Sequence, residues 1–370
     1  MALIILVALE TSHHLLSRKP GVLVNSRRQR VNIGRFALHN VRNHFIVYKK
    51  PASKRKPTGG KMIEIKLRTM EKADWPEVAD LIAVSTNNWY EKHGMAAIFP
   101  KASAATMLFC EVYEALDPGC CILATHPETG LIMGSCFYHP RETHVSLGIM
   151  NVHPNHFGAS IAVRLLKFIT DFAEQRHQPV RLVSSAMNLD SFSLYTRNGF
   201  VPQQAFQDMM LTVSDQGFPH MESGAERVRE ATLADVPQMA DLEKSLCHIR
   251  REKDYRYFIE NRQGIWQTLV YENAEGVLEG FLVSVSHPGS NMLGPGVMRT
   301  EDQAAALIIA HLQRNRGRSK IFLVPVSCHG LIKKLYGWGA RNTEIHFSQV
   351  RGAYQTPKGV LMPTFMPETA

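Results

Sequence analysis

Two stretches of the chain, beginning about thirty residues apart, contain the residue types whose spacing suggests chemistry. In the first, residues 150–161, an apolar run ends at Pro154 and a loop with Gly158 leads into a predicted apolar helix. In the second, residues 185–200, polar side chains precede a Tyr-x-x-x-Gly-Phe sequence. A strand that turns into a helix through a glycine directs free N–H groups and the positive end of the helix dipole toward one point. The first stretch therefore predicts a phosphate or pyrophosphate site, although such a turn also occurs as an ordinary connection.

Other phosphate-binding sequences are missing from this turn, since it contains neither Gly-x-Gly-x-x-Gly nor Gly-x-x-x-x-Gly-Lys-Ser/Thr. Taken together, the two stretches resemble motifs A and B of the GCN5-related N-acetyltransferases, the GNAT family. The pyrophosphate loop of that family reads Gln/Arg-x-x-Gly-x-Gly/Ala. Here it reads Asn155-His-Phe-Gly-Ala-Ser160, which departs from the pattern at its first and last positions. The resemblance implies direct transfer of an acetyl group from acetyl-CoA, used as a co-substrate, to an amine.

The resemblance implies roles in CoA binding for residues of both stretches. The end of the fourth strand, residues 150–152, would pair with the pantetheine arm and polarise the thioester oxygen. Backbone amides of residues 156–161 would bind the pyrophosphate, and Gly158 would allow close approach because it has no Cβ. The residues expected to bind CoA are Met150, Asn151, Val152, Asn155, His156, Phe157, Gly158, Ala159, Ser160, Ile161, Asn188, Ser191 and Tyr195.

The candidate catalytic residues are Tyr195, His144 and Glu142. Tyr195 stands at the family's acid position, where a hydroxyl with a pKa near ~10 can share a proton with a thiol of pKa about 8.5. The alternative is a tyrosine that packs its helix on the sheet. The amine must lose a proton, and Glu142, His144 and Ser146 alternate on one face near the start of the fourth strand. Nothing in the sequence selects among them, and a surface role competes with catalysis for each. Asn188 either orients the CoA arm or caps its helix, and the two roles are compatible.

An internal repeat organises the rest of the chain. Residues 68–81 and 229–242 share Arg, Ala-Asp, Pro and Ala-Asp-Leu at a constant offset of 161 positions. In each copy a strand leads into an Asp that is predicted as a helix N-cap, with Pro in the first turn. Hydrophobic periodicity gives each copy most of the order β-α-α-β-β-β-α-β-α-β, which is that of the GNAT family. The predicted fold class is α/β (α+β), with two tandem GNAT-like domains, each a mixed, mostly antiparallel sheet flanked by helices.

The repeat and the composition of the connecting segments predict five regions. They are a basic, disordered extension or mis-assigned start (1–61), a CoA-binding acetyltransferase domain (62–213), a linker (214–225), a degenerate GNAT-like domain (226–352) and a C-terminal tail (353–370). In the second copy, Glu301 and Asp302 stand at the helix start in place of a glycine loop, and their charge would repel a pyrophosphate. We therefore expect CoA in the first copy only. The acceptor pocket is expected at a loop over residues 87–94, whose aromatic residues are alternatively part of the core.

Charge and cysteine content limit the classes of function. The chain has a net charge of +9, but the first 61 residues hold 13 Lys/Arg and one acid, so the remainder carries −3. A folded part without excess positive charge argues against a nucleic-acid partner. Six scattered cysteines show no metal-ligand spacing, so no metal is expected, and they favour a reducing compartment. No apolar run is long enough to cross a membrane, and we expect a cytoplasmic protein.

The sequence thus predicts an N-acetyltransferase that transfers an acetyl group from acetyl-CoA directly to an unidentified amine. The acceptor is expected to be a small molecule or a peptide, with no nucleic acid and no membrane as partner, and a homodimer stays open. The alternative is a non-catalytic acyl-CoA-binding or regulatory protein on the same fold, because the loop departs from the family pattern and no base is evident.

Overall fold

The structure is a computed structural model that describes residues 64–99 and 104–369. The predicted extension 1–61 lies outside the described residues. In the first copy the elements are β1 (Lys66–Thr69), α1 (Trp75–Lys92), α2 (Met107–Leu116), β2 (Cys121–Thr125), β3 (Ile132–Pro140), β4 (Val145–Val152), α3 (Ile161–Gln175), β5 (Val180–Ser185), α4 (Leu189–Arg197) and β6 (Val201–Thr212).

The second copy repeats this order and adds three short strands. Its elements are β7 (Val228–Glu230), α5 (Val236–Cys247), α6 (Glu252–Glu260), β8 (Trp266–Glu272), β9 (Leu278–Val285), β10 (Met292–Met298), α7 (Glu301–Gln313), β11 (Ser319–Pro325), α8 (His329–Gly337), β12 (Arg341–Arg351), β13 (Val360–Met362), β14 (Thr364–Phe365) and β15 (Glu368–Thr369). Both copies therefore read β-α-α-β-β-β-α-β-α-β, and the predicted fold class is confirmed.

Apart from β14 and β15, which pair with each other, the strands of both copies form one continuous sheet. Their order is β1-β2-β3-β4-β5-β12-β6-β11-β10-β9-β8-β7, and β13 pairs with β10. Parallel pairing occurs only between β4 and β5 and between β10 and β11 among these strands. The last strand of each copy is exchanged, because β12 lies against β5 of the first copy while β6 lies against β11 of the second. The domain boundaries predicted above stay a prediction, since the sheet itself shows no break.

Each copy has a gap where its two parallel strands part. β4 and β5 pair at only two positions, Val145 with Val180 and Ser146 with Arg181. The register of β4 against β3 then shifts between Cys136 and Tyr138, which places an extra β4 residue opposite β3. A bulge of this kind bends the strand that carries it. The C-terminal end of β4 is thereby left without a strand partner on the β5 side.

Helices cover both faces of the sheet. One face carries α1, α2, α5 and α6, whose apolar residues join a single core that spans both copies. The other face carries two cores, one beneath α3 and α4 and one beneath α7 and α8. The shared core, together with the strand exchange, makes each copy a part of the folded state of the other. No helix in the described part of the chain is long and apolar enough to cross a membrane.

The repeated Asp has a more specific role than helix capping. Asp74 and Asp235 stand at the predicted N-cap positions of α1 and α5, but neither side chain bonds to its helix. Each instead accepts a backbone N–H three residues earlier and a bidentate contact from an arginine, Arg68 or Arg229, at 2.6–2.9 Å. The repeat thus fixes the turn between the first strand and first helix of each copy.

The prediction of a loop over residues 87–94 is wrong for most of these residues. Helix α1 continues through these residues to Lys92. Its last turns are stabilised by tertiary contacts: the Asn87 side chain bonds the backbone of Ile98 and Phe99, and Tyr90 is buried. Such contacts override the low helix propensity of Asn and the aromatic residues.

Candidate functional site

An open cleft of about 560 Å³ lies where β4 ends and α3 and α4 begin. Its walls come from α1, the end of β4, the loop that follows, the first turn of α3, and α4. The lining residues are Ser85, Trp89, Met150, Val152, His156, Phe157, Gly158, Ser160, Ile161, Ala162, Val163, Asn188, Asp190, Ser191, Leu194, Arg197 and Asn198. The structure therefore brings nine of the thirteen residues predicted to bind CoA together around one cleft.

The loop between β4 and α3 presents backbone amides to the cleft. Gly158 (φ +83°) and Ser160 (φ +60°) both have left-handed backbone conformations, so the chain turns sharply into α3. The Ser160 side chain does not cap the helix. The amides of the first turn therefore have no carbonyl partner within the helix and no side-chain cap from Ser160. Open amides at the positive end of a helix dipole form an anion site.

The structure changes the reason for a glycine at position 158. A Cβ built on Gly158 would meet no atom of the described residues within 4 Å, so close packing of the protein does not require glycine. Its left-handed φ does, because an L-residue there is strained by about 1–2 kcal/mol. Ser160 accepts the same strain one residue before α3.

The corresponding helix of the second copy is closed by the protein's own side chains. At the start of α7, Thr300 and Gln303 form a reciprocal capping box. Glu301 accepts the Leu331 amide at the start of α8, while Asp302 pairs with Lys334 at 2.9 Å. The start of α7 thus has a side-chain cap and two acidic side chains, whereas the start of α3 has no side-chain cap from Ser160 and no acidic residue in its first turn.

The gap of the second copy is also filled, by strand β13 of the tail. β10 and β11 pair at only two positions, as β4 and β5 do. Beyond them, residues 360–362 pair with residues 296–298 of β10, and β13 also packs on β11. In the first copy, the equivalent edge of β4 borders the open cleft.

The polar residues predicted to bind CoA occupy several positions. The Asn188 side chain caps α4 by accepting the Ser191 amide at 3.0 Å, and both residues also line the cleft. Asn151 lies just beneath the cleft, where it donates to the Ser85 hydroxyl at 3.1 Å. Asn155 is exposed on the loop, and neither Asn155 nor Ala159 lines the cleft.

Tyr195 is fully buried beneath α4 and does not line the cleft. Its ring packs on Phe200, as the packing alternative predicted. Its hydroxyl, however, has no hydrogen-bond partner among the described residues. Burial raises the pKa of Tyr195 far above its ordinary value, so the hydroxyl stays protonated and can act as a donor.

The structure does not bring Glu142 or His144 together with the cleft. Both precede β4, and six strand-like steps from His144 to Met150 span roughly 20 Å. Glu142 is exposed at the surface. His144 is fully buried between Thr143 and Ser146, at 3.0 and 3.1 Å. Burial, followed by nearby arginines, lowers the pKa of His144 well below its ordinary value.

Several other residues of the cleft are not predicted from the sequence, or are predicted only as part of a loop. Trp89 fell within the predicted acceptor loop, whereas Ser85, Asp190 and Arg197 were not singled out. Lys92 lies over the Phe157 ring at 5.7 Å, which adds a cation beside the loop. Four-residue spacing in α1 was the available signal for Ser85 and Trp89, but it required the correct helix length.

A second polar cluster lies on the α1 face of the sheet, where β12 crosses between β5 and β6. Glu344 contacts the Ser185 hydroxyl and lies 3.4 Å from the Tyr90 hydroxyl. His346 and Asp208 are fully buried beside it, with ligand atoms of the three residues within 4.8 Å of one another. The side chains of Asp208 and His346 have no hydrogen-bond partner among the described residues, although His346 Nδ1 lies 3.8 Å from Asp208 Oδ2. This donor set could hold a metal ion, which the sequence reading did not foresee.

Solved structures with a similar fold include a putative acetyltransferase and GNAT proteins, one of which is described as a tandem GNAT protein. A putative acetyltransferase from Pyrococcus horikoshii is 14% identical with a TM-score of 0.62, over 80% of this chain and 94% of that one. A GCN5-related N-acetyltransferase from Sphaerobacter thermophilus is 17% identical with a TM-score of 0.56, over 79% and 96%. A tandem GNAT protein from the clavulanic acid biosynthesis pathway is 14% identical with a TM-score of 0.54, over 79% and 100%.

The fold is that of GNAT proteins, and its first copy carries the cleft. Residues 75–200 match the model of the family described as Acetyltransferase (GNAT) family. This part of the chain is a GNAT domain, and the whole has the tandem GNAT fold. The family supports acyl transfer from an acyl-CoA to an amine in general. None of the curated proteins is significantly similar to the chain in sequence.

Proposed function

We propose that the chain is an N-acetyltransferase that takes the acetyl group from acetyl-CoA and binds one CoA per chain. The observation that carries this proposal is the cleft at the end of β4, where free amides of the α3 start meet the parted strands β4 and β5. An anion site beside an unpaired strand edge suits a pyrophosphate joined to a pantetheine arm.

The reaction requires three contributions from this site. The backbone of residues 150–152 would pair with the pantetheine and polarise the thioester carbonyl. Amides of Gly158 and of residues 160–163 would bind the pyrophosphate, with Arg197 and Lys92 nearby. The amides of His156, Phe157 and Ala159, which the sequence also predicts for this role, are not available because they donate to carbonyls within the loop. The buried Tyr195 hydroxyl, which has no other partner among the described residues, would donate to the departing thiolate.

Two features support a single CoA site. The α7 start is capped by Thr300, Gln303 and their acidic neighbours, and β13 is paired along the β10 edge. A pantetheine arm in the second copy would have to displace β13, and a pyrophosphate would meet Glu301 and Asp302. We further propose that the transferred group is acetyl, that the acceptor is a small-molecule or peptide amine, and that the protein is cytoplasmic.

The test uses the full chain. Calorimetric titration with acetyl-CoA should give one site per chain, and thiol release should follow with at least one member of a panel of amino acids, polyamines, aminoglycosides and peptides. Longer acyl-CoAs in the same assay test the preference for acetyl. Two sites per chain, or no binding at all, would overturn the proposal. Binding without thiol release for any amine would favour the acyl-CoA-responsive regulatory protein instead.

A further inference from the structure

The C-terminal tail of the second copy ends on the gap of the first copy. The Phe365 ring lies 5.0 Å from the His346 ring of β12. Three residues later, the Glu368 carboxylate lies beside His139 of β3. Between these points the tail turns back on itself, because β14 pairs with β15 in an antiparallel hairpin, and β15 packs against both β4 and β5. The tail thus places an acidic side chain where β4 and β5 part.

Glu368 is held by two neighbours and keeps one oxygen free of hydrogen bonds. Its Oε2 accepts from the Tyr113 hydroxyl at 2.9 Å and lies 3.7 Å from His139 Nε2. Its Oε1 has no hydrogen-bond partner among the described residues, although the residue is only 1% exposed. A buried carboxylate oxygen without a donor is costly to the fold, and such groups call for a functional explanation.

A buried network fixes the imidazole behind Glu368. His139 Nδ1 contacts Asp117 Oδ2 at 2.7 Å, and Asp117 also accepts from Arg141 at 2.9 Å and from Lys253. Burial alone would lower the pKa of His139, but the contacts with Asp117 and Glu368 raise it overall. A carboxylate–imidazole–carboxylate chain therefore runs from the body of the protein to the tail.

The network reaches β4 at its register shift. A Cβ built on Gly148 would lie 2.8 Å from His139 Nε2, so the imidazole rests directly on the strand where it leaves β5. Tyr195 belongs to α4 and packs on the face of the sheet that α3 and α4 cover. Tyr113 of α2 lies on the opposite face. Two buried oxygens without partners, one on Tyr195 and one on Glu368, thus approach the gap from opposite faces. Burial raises the pKa of Glu368 above its ordinary value, and the contacts with His139 and Tyr113 only partly offset this effect.

We propose that Glu368 is the proton acceptor for the attacking amine, and that His139 and Asp117 are positioning residues that hold it. The proposal rests on the proposed function. As the nitrogen attacks the thioester carbon, a C–N bond forms and the nitrogen gives one proton to Glu368. The C–S bond breaks with its electron pair on sulfur, where the Tyr195 hydroxyl donates a hydrogen bond to the thiolate. The thiolate then takes up the proton that Glu368 accepted, which restores the Glu368 carboxylate and leaves Tyr195 unchanged.

The isosteric variant Glu368→Gln tests the proposal in the full chain. With an amine from the panel that the wild type acetylates, kcat should fall by about 10²–10⁴-fold, the usual range for a general base. The dissociation constant for acetyl-CoA should stay within twofold. Glu368→Asp, which keeps the carboxylate, should retain more activity than Glu368→Gln. The exposed Glu128→Gln is the matched control and should leave kcat unchanged.

The pH profile separates catalysis from a structural role. The groups that face Glu368 are Tyr113 of α2, His139 and Cys136 of β3 and Tyr195 of α4, with Asp117, Arg141 and Lys253 around His139. His139 lowers the pKa of Glu368, so His139→Gln should move the acid limb of the kcat profile to higher pH.

Three outcomes decide between the two proposals. A wild type that acetylates no amine overturns the proposed function. A wild type that is active while Glu368→Gln keeps kcat within threefold overturns the role of Glu368 alone. If Glu368→Gln fails to fold, two other results decide. The role of Glu368 is overturned if Glu368→Asp has the same kcat as wild type and His139→Gln leaves the acid limb of the kcat profile unmoved.

Discussion

Replacing Glu344 by Gln should stabilise the protein at alkaline pH. The Glu344 side chain is 4% exposed overall, it neighbours the buried Asp208, and its hydrogen-bond partners are the neutral hydroxyls of Tyr90 and Ser185. Burial raises the pKa of Glu344 from 4.5 to about 8, an effect that the Tyr90 hydroxyl only partly offsets. Burial also raises the pKa of Asp208 well above its ordinary value, with the Glu344 charge as the second cause.

The sign follows from the proton that the folded state retains. Between pH 4.5 and about 8 the folded protein keeps Glu344 protonated while the unfolded chain has released that proton. The contribution to stability is therefore complete below pH 4.5 and is lost as the pH rises through about 8. A shift of this size corresponds to roughly 5 kcal/mol at most. Gln cannot ionise, so the variant should escape this loss.

The assay is urea unfolding followed by circular dichroism between pH 5 and pH 9, with Glu128→Gln as the exposed control. Relative to wild type, Glu344→Gln should gain several kcal/mol in free energy of unfolding between the two ends of this range, within the ~5 kcal/mol limit. A difference that does not change with pH would refute the reasoning. So would a wild type that gains stability with rising pH and loses it in EDTA, because a divalent cation held by Asp208, Glu344 and His346 favours ionised carboxylates.

Three further predictions concern the cleft and the contact between the copies. Gly158→Asp should weaken acetyl-CoA binding by roughly 100-fold in calorimetry, through backbone strain and charge repulsion, whereas Gly130→Asp, at φ +73° in an exposed turn, should not. Tyr195→Phe should lower kcat at least about tenfold without lowering the melting temperature, because the hydroxyl has no partner to lose. Gly289→Ala should destabilise both copies in one unfolding transition by about 1–3 kcal/mol, since its Cβ would lie 2.1 Å from the Ala105 carbonyl.

The sequence was sufficient for features that local patterns determine. Pro154 ends a strand, a glycine with left-handed φ follows, and apolar residues at helical spacing define α3, so the loop could be placed to the residue. The repeat of Arg, Asp and Pro likewise marks the same strand-to-helix turn twice, because one arginine–aspartate pair fixes that turn in each copy.

Features that depend on long-range contacts were not predictable from the sequence. Helix α1 is longer than its propensities indicate, because Asn87 bonds to residues eleven and twelve positions away. Local spacing predicts the general base near the start of β4, because Glu142 and His144 lie there. Glu368 lies 229 positions after His139 and comes from a tail with no strong periodicity, so no local pattern connects them.

The strand exchange explains how the second copy, whose gap is filled by β13, contributes to the fold of the first. β12 supplies the partner of β5 along its length, and the tail that follows β12 carries β13 into the gap of the second copy and β15 onto the gap of the first. The same C-terminal tail therefore fills the gap of the second copy and reaches the gap of the first copy. If Glu368 acts as proposed, a second copy that opened its gap by releasing β13 would also free the segment that positions the base. Loss of CoA binding in one copy and catalysis in the other are then structurally linked.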